Sequence, residues 1–71
     1  MSKTLINVIA QMQGILQRDV DNLREAQTSL SLLEKHYQDR VRARLNYANE
    51  VLIPFGYCLE IKNYKVKHKQ I

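Results

Sequence analysis

The sequence has few of the residues that crosslink or interrupt a chain. Its 71 residues include one cysteine, one proline, two glycines and no tryptophan. The lone Cys58 excludes an intramolecular disulfide, and the paired Cys-x-x-Cys spacing of zinc sites is absent. Because a single thiol suits a reducing compartment, we expect a cytoplasmic protein or a component of a particle assembled inside the cell.

Long apolar runs are also absent. The apolar patch at 5–10 is interrupted by Asn7 and lacks a small-residue cleavage pattern, so we predict no signal peptide. The run at 51–55 is far shorter than the roughly 20 residues of a membrane span. A chain of this length builds only a small core, and oligomerisation is therefore the expected source of additional stability.

The positive charge is concentrated at the C-terminus. The formal net charge is +4, yet residues 1–61 contain seven Lys or Arg and seven Asp or Glu. The whole excess therefore lies in residues 62–71, which contain no acidic residue. The four lysines there are candidate phosphate contacts. They are Lys62, Lys65, Lys67 and Lys69.

One long stretch, from about Ser2 to Ile53, has the pattern of an amphipathic helix. No glycine or proline lies between Gly14 and Pro54, and Pro54 followed by Gly56 predicts the helix end. With residue 5 at heptad position d, nine of ten seam positions are apolar. The seam is Leu5, Ile9, Met12, Leu16, Asp19, Leu23, Ala26, Leu30, Leu33 and Tyr37.

The apolar stripe changes along its length. Near the start, Ile6, Val8 and Ile15 widen it, which indicates contact with two neighbours and favours a bundle. After Tyr37 the heptad frame fails, and the stripe continues in a shifted frame through residues 41, 45, 48 and 52.

Three courses of the backbone are compatible with this pattern. The stretch can form one continuous helix, or turn near 19–22, or turn near 28–31. At the last of these, Ser31 and Glu34 have the spacing of a capping box. Asp19 is then either a polar seam residue that specifies register or a sign of a helix break.

After Gly56 the pattern alternates, as in a β-hairpin. A turn at Lys62 and Asn63 places the apolar residues on one face. The expected pairs are Ile61 with Tyr64, Leu59 with Val66, Tyr57 with His68, Glu60 with Lys65 and Cys58 with Lys67. Because a two-stranded hairpin is barely stable alone, we expect it to dock on helices or on other chains.

No residue pattern indicates catalysis or metal binding. His36 and Asp39 have the spacing of two metal ligands on a helix, but no third ligand has a matching spacing. Cys58 and His68 fall on opposite faces of the predicted hairpin, which separates a nucleophile from its base. A rod or hairpin offers no obvious cleft, so we expect no enzyme activity, metal or cofactor.

Two basic clusters have competing interpretations. Arg40, Arg42 and Arg44 are expected on a solvated surface within reach of Asp39 and Glu34. In the tail, the lysines alternate with Tyr64, Val66 and His68. That alternation fits either a nucleic-acid surface with interleaved aromatic residues or a basic edge that blocks strand aggregation.

The sequence predicts a mainly α protein, comprising a long amphipathic helix or helical hairpin at 1–53 and a basic tail or β-hairpin at 54–71. We expect a coiled-coil-like, homo-oligomeric adaptor, scaffold or assembly subunit. The alternatives are a helical chaperone or inhibitor in a hetero-complex, and a nucleic-acid-binding regulator that uses the lysine-rich tail. The predicted interface residues are Leu5, Ile9, Met12, Leu16, Leu23, Leu30, Leu33 and Tyr37.

Overall fold

The computed structural model describes residues 3–71, with side chains from Thr4 onward. Its elements are α1 (Lys3–Thr28), α2 (Glu34–Leu52), a 3₁₀ turn (Ile53–Phe55), β1 (Tyr57–Lys62) and β2 (Lys65–Gln70). The predicted fold class, mainly helical with a short C-terminal β-hairpin, is confirmed. The predicted helix start at Ser2 lies outside the described residues.

The chain reverses direction after α1 through a left-handed residue. Ser31 N–H donates to Ala26 O at 2.9 Å and Leu30 N–H donates to Gln27 O at 3.4 Å. These two hydrogen bonds are those of a Schellman motif, in which the residue after the helix adopts positive φ. Leu30 has a φ of 54°, a conformation that glycine usually occupies.

This turn decides between the three predicted backbone courses. The turn near 28–31 is confirmed, whereas the continuous helix and the turn near 19–22 are wrong. Ser31 Oγ accepts a hydrogen bond from Leu33 N–H at 3.1 Å. A capping box requires Ser31 Oγ to accept from the N–H of Glu34, whereas here it accepts from the N–H of Leu33. The side chain of Glu34 forms its hydrogen bond within α2. The predicted capping box is therefore wrong in detail.

The end of α2 follows the prediction from Pro54 and Gly56. Pro54 lies in the 3₁₀ turn that continues α2. Gly56 has a φ of 86°, and its N–H donates to Ile53 O at 2.9 Å. This left-handed cap redirects the chain into β1, so the predicted helix end is confirmed.

The two helices run antiparallel, and the β-hairpin covers one side of the pair. α1 packs against α2 and β2, and α2 packs against α1 and β1. Helix α1 therefore has two neighbours, but Ile6 and Ile15, which widen its apolar stripe, are exposed. The shifted stripe after Tyr37 belongs to α2. All four elements contribute to one core. Its buried residues are Ile9, Leu16, Val20, Val41, Ala48, Leu52, Leu59 and Val66.

The β-hairpin has the predicted faces but a different register. Asn63 and Tyr64 form the turn, so the predicted turn one residue earlier is wrong. A change of two residues in the pairing keeps each side chain on its face, and Leu59 and Val66 are buried as expected. The observed pairs are Tyr57 with Gln70, Cys58 with Lys69, Leu59 with His68, Glu60 with Lys67, Ile61 with Val66 and Lys62 with Lys65.

Contacts of Tyr64 account for the position of the turn. Asn63 and Tyr64 have φ values of 52° and 61°, as a type I′ turn requires. Tyr64 is an unfavourable residue at positive φ. Its hydroxyl donates to Gln27 Oε1 at 2.8 Å, and the Arg24 guanidinium lies 5.1 Å from the ring centroid. These contacts with α1 offset the strain.

Side-chain amides from both helices cover the edges of the hairpin. On β1, Leu59 N–H donates to Asn49 Oδ1 at 2.6 Å and Asn49 Nδ2 donates to Leu59 O at 3.1 Å. On β2, Val66 N–H donates to Gln17 Oε1 at 2.7 Å and Gln13 Nε2 donates to Val66 O at 2.9 Å. The hairpin thus docks on the helices of its own chain.

We expect Asn49→Ala to loosen the attachment of β1. The substitution leaves the N–H and C=O of the buried Leu59 without partners, and an unpaired buried group costs about 1–3 kcal/mol. Urea unfolding should show that loss, and the Leu59 amide should exchange hydrogen faster. Asn46→Ala, an exposed site on the same helix, should change stability by less than about 0.5 kcal/mol. Equal stability of the two variants would contradict this role.

Candidate protein–protein interface

The eight predicted interface residues fall into two groups. Ile9 and Leu16 are buried in the core of the single chain, and three others pack against that core: Leu5, Met12 and Leu23. Tyr37 is half-buried, whereas Leu30 and Leu33 are exposed beside the interhelix turn. A role for these residues between chains stays a prediction, and the core positions already have contacts within the chain.

An apolar groove lies between the helices, and no hairpin residue lines it. Its volume is about 430 Å³. Ala48 is buried there, whereas Ile15 and Tyr47 are exposed. We call this groove and its rims the open face. The lining residues are Val8, Gln11, Met12 and Ile15 from α1, and Ala43, Arg44, Tyr47 and Ala48 from α2.

The open face combines a projecting aromatic side chain with an apolar depression. Tyr47 is 63% exposed at the rim of the groove. Val8, Met12 and Ile15 provide the apolar wall on the opposite helix. Large exposed apolar residues around a concave surface are typical of a site that another molecule covers.

An ion-pair cluster lies at one end of the open face. Arg44 Nε lies 2.5 Å from Asp19 Oδ2, and Arg40 Nε lies 3.7 Å from Asp19 Oδ1. Oδ2 is buried and accepts no well-aligned hydrogen bond, so its contact with Arg44 is mainly electrostatic. Asp19 lies inside α1, and the predicted helix break there is wrong.

The arginine cluster is therefore only partly solvated. Arg40 and Arg44 contact Asp19, whereas Arg42 is exposed. None of the described ion pairs joins these arginines to Asp39 or Glu34, so that expected pairing is wrong. Asp39 instead pairs with Lys35 at 3.4 Å, one turn before it on α2.

A second apolar surface lies at the tip of the helical hairpin. Leu30, Leu32 and Leu33 are all exposed there, and Leu32 is fully exposed. These leucines are separated from the groove by the Asp19 ion pairs. Each of the three residues is between 53% and 100% exposed, so the described chain leaves this surface largely uncovered.

The four tail lysines share the outer face of the β-hairpin. Val66 and Leu59 point toward the helices, so the alternate residues point outward. Lys62 lies directly opposite Lys65, and Lys67 lies opposite Glu60. Glu60 Oε2 also lies 3.5 Å from Lys69 Nζ. We call this surface the lysine face.

The residues that alternate with the lysines do not interleave with them in space. Val66 is buried, and His68 Nδ1 lies 3.0 Å from Gln13 Oε1. Tyr64 belongs to the turn and contacts Arg24 and Gln27 on α1. Of the two alternatives for the tail, the surface with interleaved aromatic residues is therefore not formed, and contact of the lysines with phosphates stays a prediction.

The candidate chemical groups are not brought together. Cys58 lies on the lysine face and His68 on the opposite side of the hairpin, as predicted. Within residues 3–71, no three histidine, cysteine or acidic side chains form a group that fits a metal ion. His36 packs edge-on against Tyr37 at a centroid distance of 5.4 Å.

Sequence reasoning did not identify two helix positions that shape these surfaces. Ala43 and Tyr47 line the groove, but the shifted stripe directed attention to positions 41, 45, 48 and 52. A signal was present in Val8 and Ile15, which widen the stripe of α1 on the side where the groove lies. The amide contacts of Gln13, Gln17 and Asn49 had no local signal, since their partners are 10 to 53 residues away.

In the described chain, no helix is both long and apolar enough to cross a membrane. Comparisons with protein-family models, with characterised proteins and with solved structures find no match.

Proposed function

We propose that this chain is a non-enzymatic protein–protein interaction module that forms a homodimer through the open face. In this role it serves as an adaptor, scaffold or assembly subunit. The observation that carries the proposal is the exposed Tyr47 at the rim of an apolar groove on the same face.

The open face is self-complementary. In a two-fold dimer the same patch is used by both copies, so a projection and a depression on one patch can each fill the other. Tyr47 of one copy enters the groove formed by Val8, Met12 and Ile15 of the second copy, and the reverse contact forms by symmetry. Buried aromatic side chains of this kind dominate the energy of many interfaces.

The chain exposes more surface than a compact monomer of its mass does. Its accessible surface is 5277 Å², whereas a compact monomer of 8.4 kDa exposes about 4,600 Å². A second copy that covers the open face would bury part of this additional surface.

Charge favours an antiparallel arrangement of the two copies. Arg44 lines the groove, and Arg40 lies one turn beyond it toward the tip. A parallel pair of chains brings these arginines of both copies together, which is repulsive. Rotation about an axis perpendicular to the helices moves them to opposite ends of the interface.

Sedimentation equilibrium at micromolar concentration tests this dimer with two matched substitutions. Tyr47→Glu places a charge in the apolar interface, and we expect at least about 30-fold weaker association. Phe55→Glu is the control, because Phe55 is 62% exposed but lies in the 3₁₀ turn, away from the groove. Its association should equal that of the original chain.

A monomeric original chain with normal helicity would contradict the proposal. So would a dimer that Tyr47→Glu leaves intact, because the contact would then lie elsewhere. Circular dichroism of both variants shows whether the fold is retained, which we expect from the exposure of both side chains.

A further inference from the structure

We infer that the lysine face of the β-hairpin binds the phosphate backbone of double-stranded nucleic acid. This inference is independent of the homodimer, because the lysine face and the open face have no residue in common.

Three of the lysines form a row along β2, and the fourth lies beside that row on β1. Lys65, Lys67 and Lys69 follow one another on β2 at intervals of about 6.7 Å, since side chains on one face of a strand repeat every second residue. Lys62 adds a fourth positive charge on β1, opposite Lys65. Regularly spaced ammonium groups of this kind match the repeated negative charges of a phosphate backbone.

The positive charge of this face is not balanced within the chain. Glu60 contacts Lys69 and lies opposite Lys67. No described ion pair includes Lys62 or Lys65, and like charges directly opposite each other destabilise a strand pair. An anionic partner converts that repulsion into a favourable contact.

Protection of the strand edges explains the lysines only in part, because helix side chains already bond to one residue on each edge. Edge lysines block strand-to-strand aggregation where backbone groups are free to pair. Here the amides of Asn49, Gln13 and Gln17 already occupy the outward backbone groups of Leu59 and Val66. The lysine side chains project from the outer face of the ribbon and do not contact the backbone groups of Leu59 or Val66.

The shape of the ribbon favours a duplex over a single strand. The major groove of DNA, about 12 Å wide, admits a two-stranded β-ribbon. Proteins that hold single strands offer aromatic rings to successive bases. The lysine face has no aromatic residue, because Tyr57 faces the helices and Tyr64 packs against Arg24.

The same composition argues against a lipid surface. Peripheral proteins combine basic residues with apolar side chains that enter the membrane interface. The paired strands of the lysine face present only lysines, Glu60 and the half-buried Cys58. One exposed apolar residue, Ile71, follows Lys69 at the end of this face, where its N–H donates to Gly56 O. A single isoleucine at the edge is not the apolar cluster that such proteins insert.

Binding of a fluorescent 20-base-pair DNA duplex, titrated at several salt concentrations, tests the inference. We expect affinity to fall on the order of 100-fold between 50 and 200 mM salt if four lysines contact phosphates. Lys62→Ala/Lys65→Ala should reduce the logarithmic salt slope by about 2. This double variant should remain folded, since it removes a repulsive cross-strand pair.

Two further variants separate the lysine face from net charge. Arg18→Ala/Lys35→Ala removes the same charge from exposed positions on the helices, and it should leave the salt slope close to that of the original chain. Glu60→Gln should strengthen binding, because it frees Lys69 and removes the only acid from the lysine face.

The remaining outcomes distinguish this inference from the homodimer. Tyr47→Glu should retain the duplex salt slope even when it is monomeric. No duplex binding at 50 mM salt, tighter binding to the single strand, or binding only to phosphatidylserine vesicles would each overturn the inference. An equal loss in both double-alanine variants would overturn it as well.

Discussion

Leu52→Ala should leave the isolated chain largely unfolded at 25 °C. Leu52 is 0% exposed and belongs to the core that joins both helices to the hairpin. Truncating a buried leucine costs about 2–5 kcal/mol, because apolar contacts are lost and a cavity remains. A core in a chain this small supplies only about 3–5 kcal/mol of net stability, so one such cavity removes most of it.

Leu32→Ala is the matched control for that substitution. Leu32 is fully exposed at the tip, so the same chemical change should alter stability by less than about 0.5 kcal/mol. Urea unfolding of both variants, at one protein concentration because dimerisation adds stability, provides the comparison. An unchanged urea midpoint for Leu52→Ala would contradict the observed core.

The double variant Arg40→Ala/Arg44→Ala should be destabilised by about 3–5 kcal/mol. It leaves the carboxylate of Asp19, which is 6% exposed, without a positive partner. Asp19→Leu should be close to neutral, because it restores an apolar seam residue and the two arginines remain partly exposed to water. The cost therefore depends on which partner is removed.

A rescue experiment separates this explanation from simple loss of arginine packing. Adding Asp19→Leu to the Arg40→Ala/Arg44→Ala background should recover most of the lost stability, as measured by urea unfolding. If the triple variant is as unstable as the double variant, the unpaired carboxylate is not the cause. A double-mutant cycle then assigns the remaining coupling to the individual pairs.

The heptad pattern predicted which side of the helix is buried, but not what covers it. Ile9 and Leu16 occupy seam positions and are buried. The frame shift after Tyr37 lies inside α2, just after that helix begins at Glu34, so it indicated a change of helix without locating the turn. The turn itself had no strong local signal, because Leu30 occupies a left-handed position where glycine is usual.

The alternation of the tail correctly predicted the two faces of the hairpin but not its register. Which residues share a face depends only on their odd or even position along each strand. Leu59 and Val66 are therefore buried, as predicted. The register depends on Tyr64, whose positive φ is offset by contacts with α1 residues Arg24 and Gln27. A tertiary contact of this kind is not visible in a local pattern.

Asp19, at the candidate interface, is a second residue whose tertiary contacts are not visible in the local sequence pattern. Its polar position in an apolar seam correctly marked it as unusual, but the sequence does not reveal that Arg40 and Arg44 approach it from α2. Once the helices fold back on each other, these ion pairs limit the groove to the segment lined by Val8 and Tyr47. The open face therefore exists only when α1 and α2 are packed together, and the sequence pattern of either helix alone does not predict it.

Nuclear Overhauser measurements on a mixture of isotope-labelled and unlabelled chains test the proposed homodimer most directly. Isotope filtering selects contacts between copies, and we predict cross-peaks from the Tyr47 ring to the side chains of Val8, Met12 and Ile15. Each of these residues lines the groove. Intermolecular cross-peaks confined to the leucines of the tip, or none at concentrations where the chain remains folded, would contradict association through the open face.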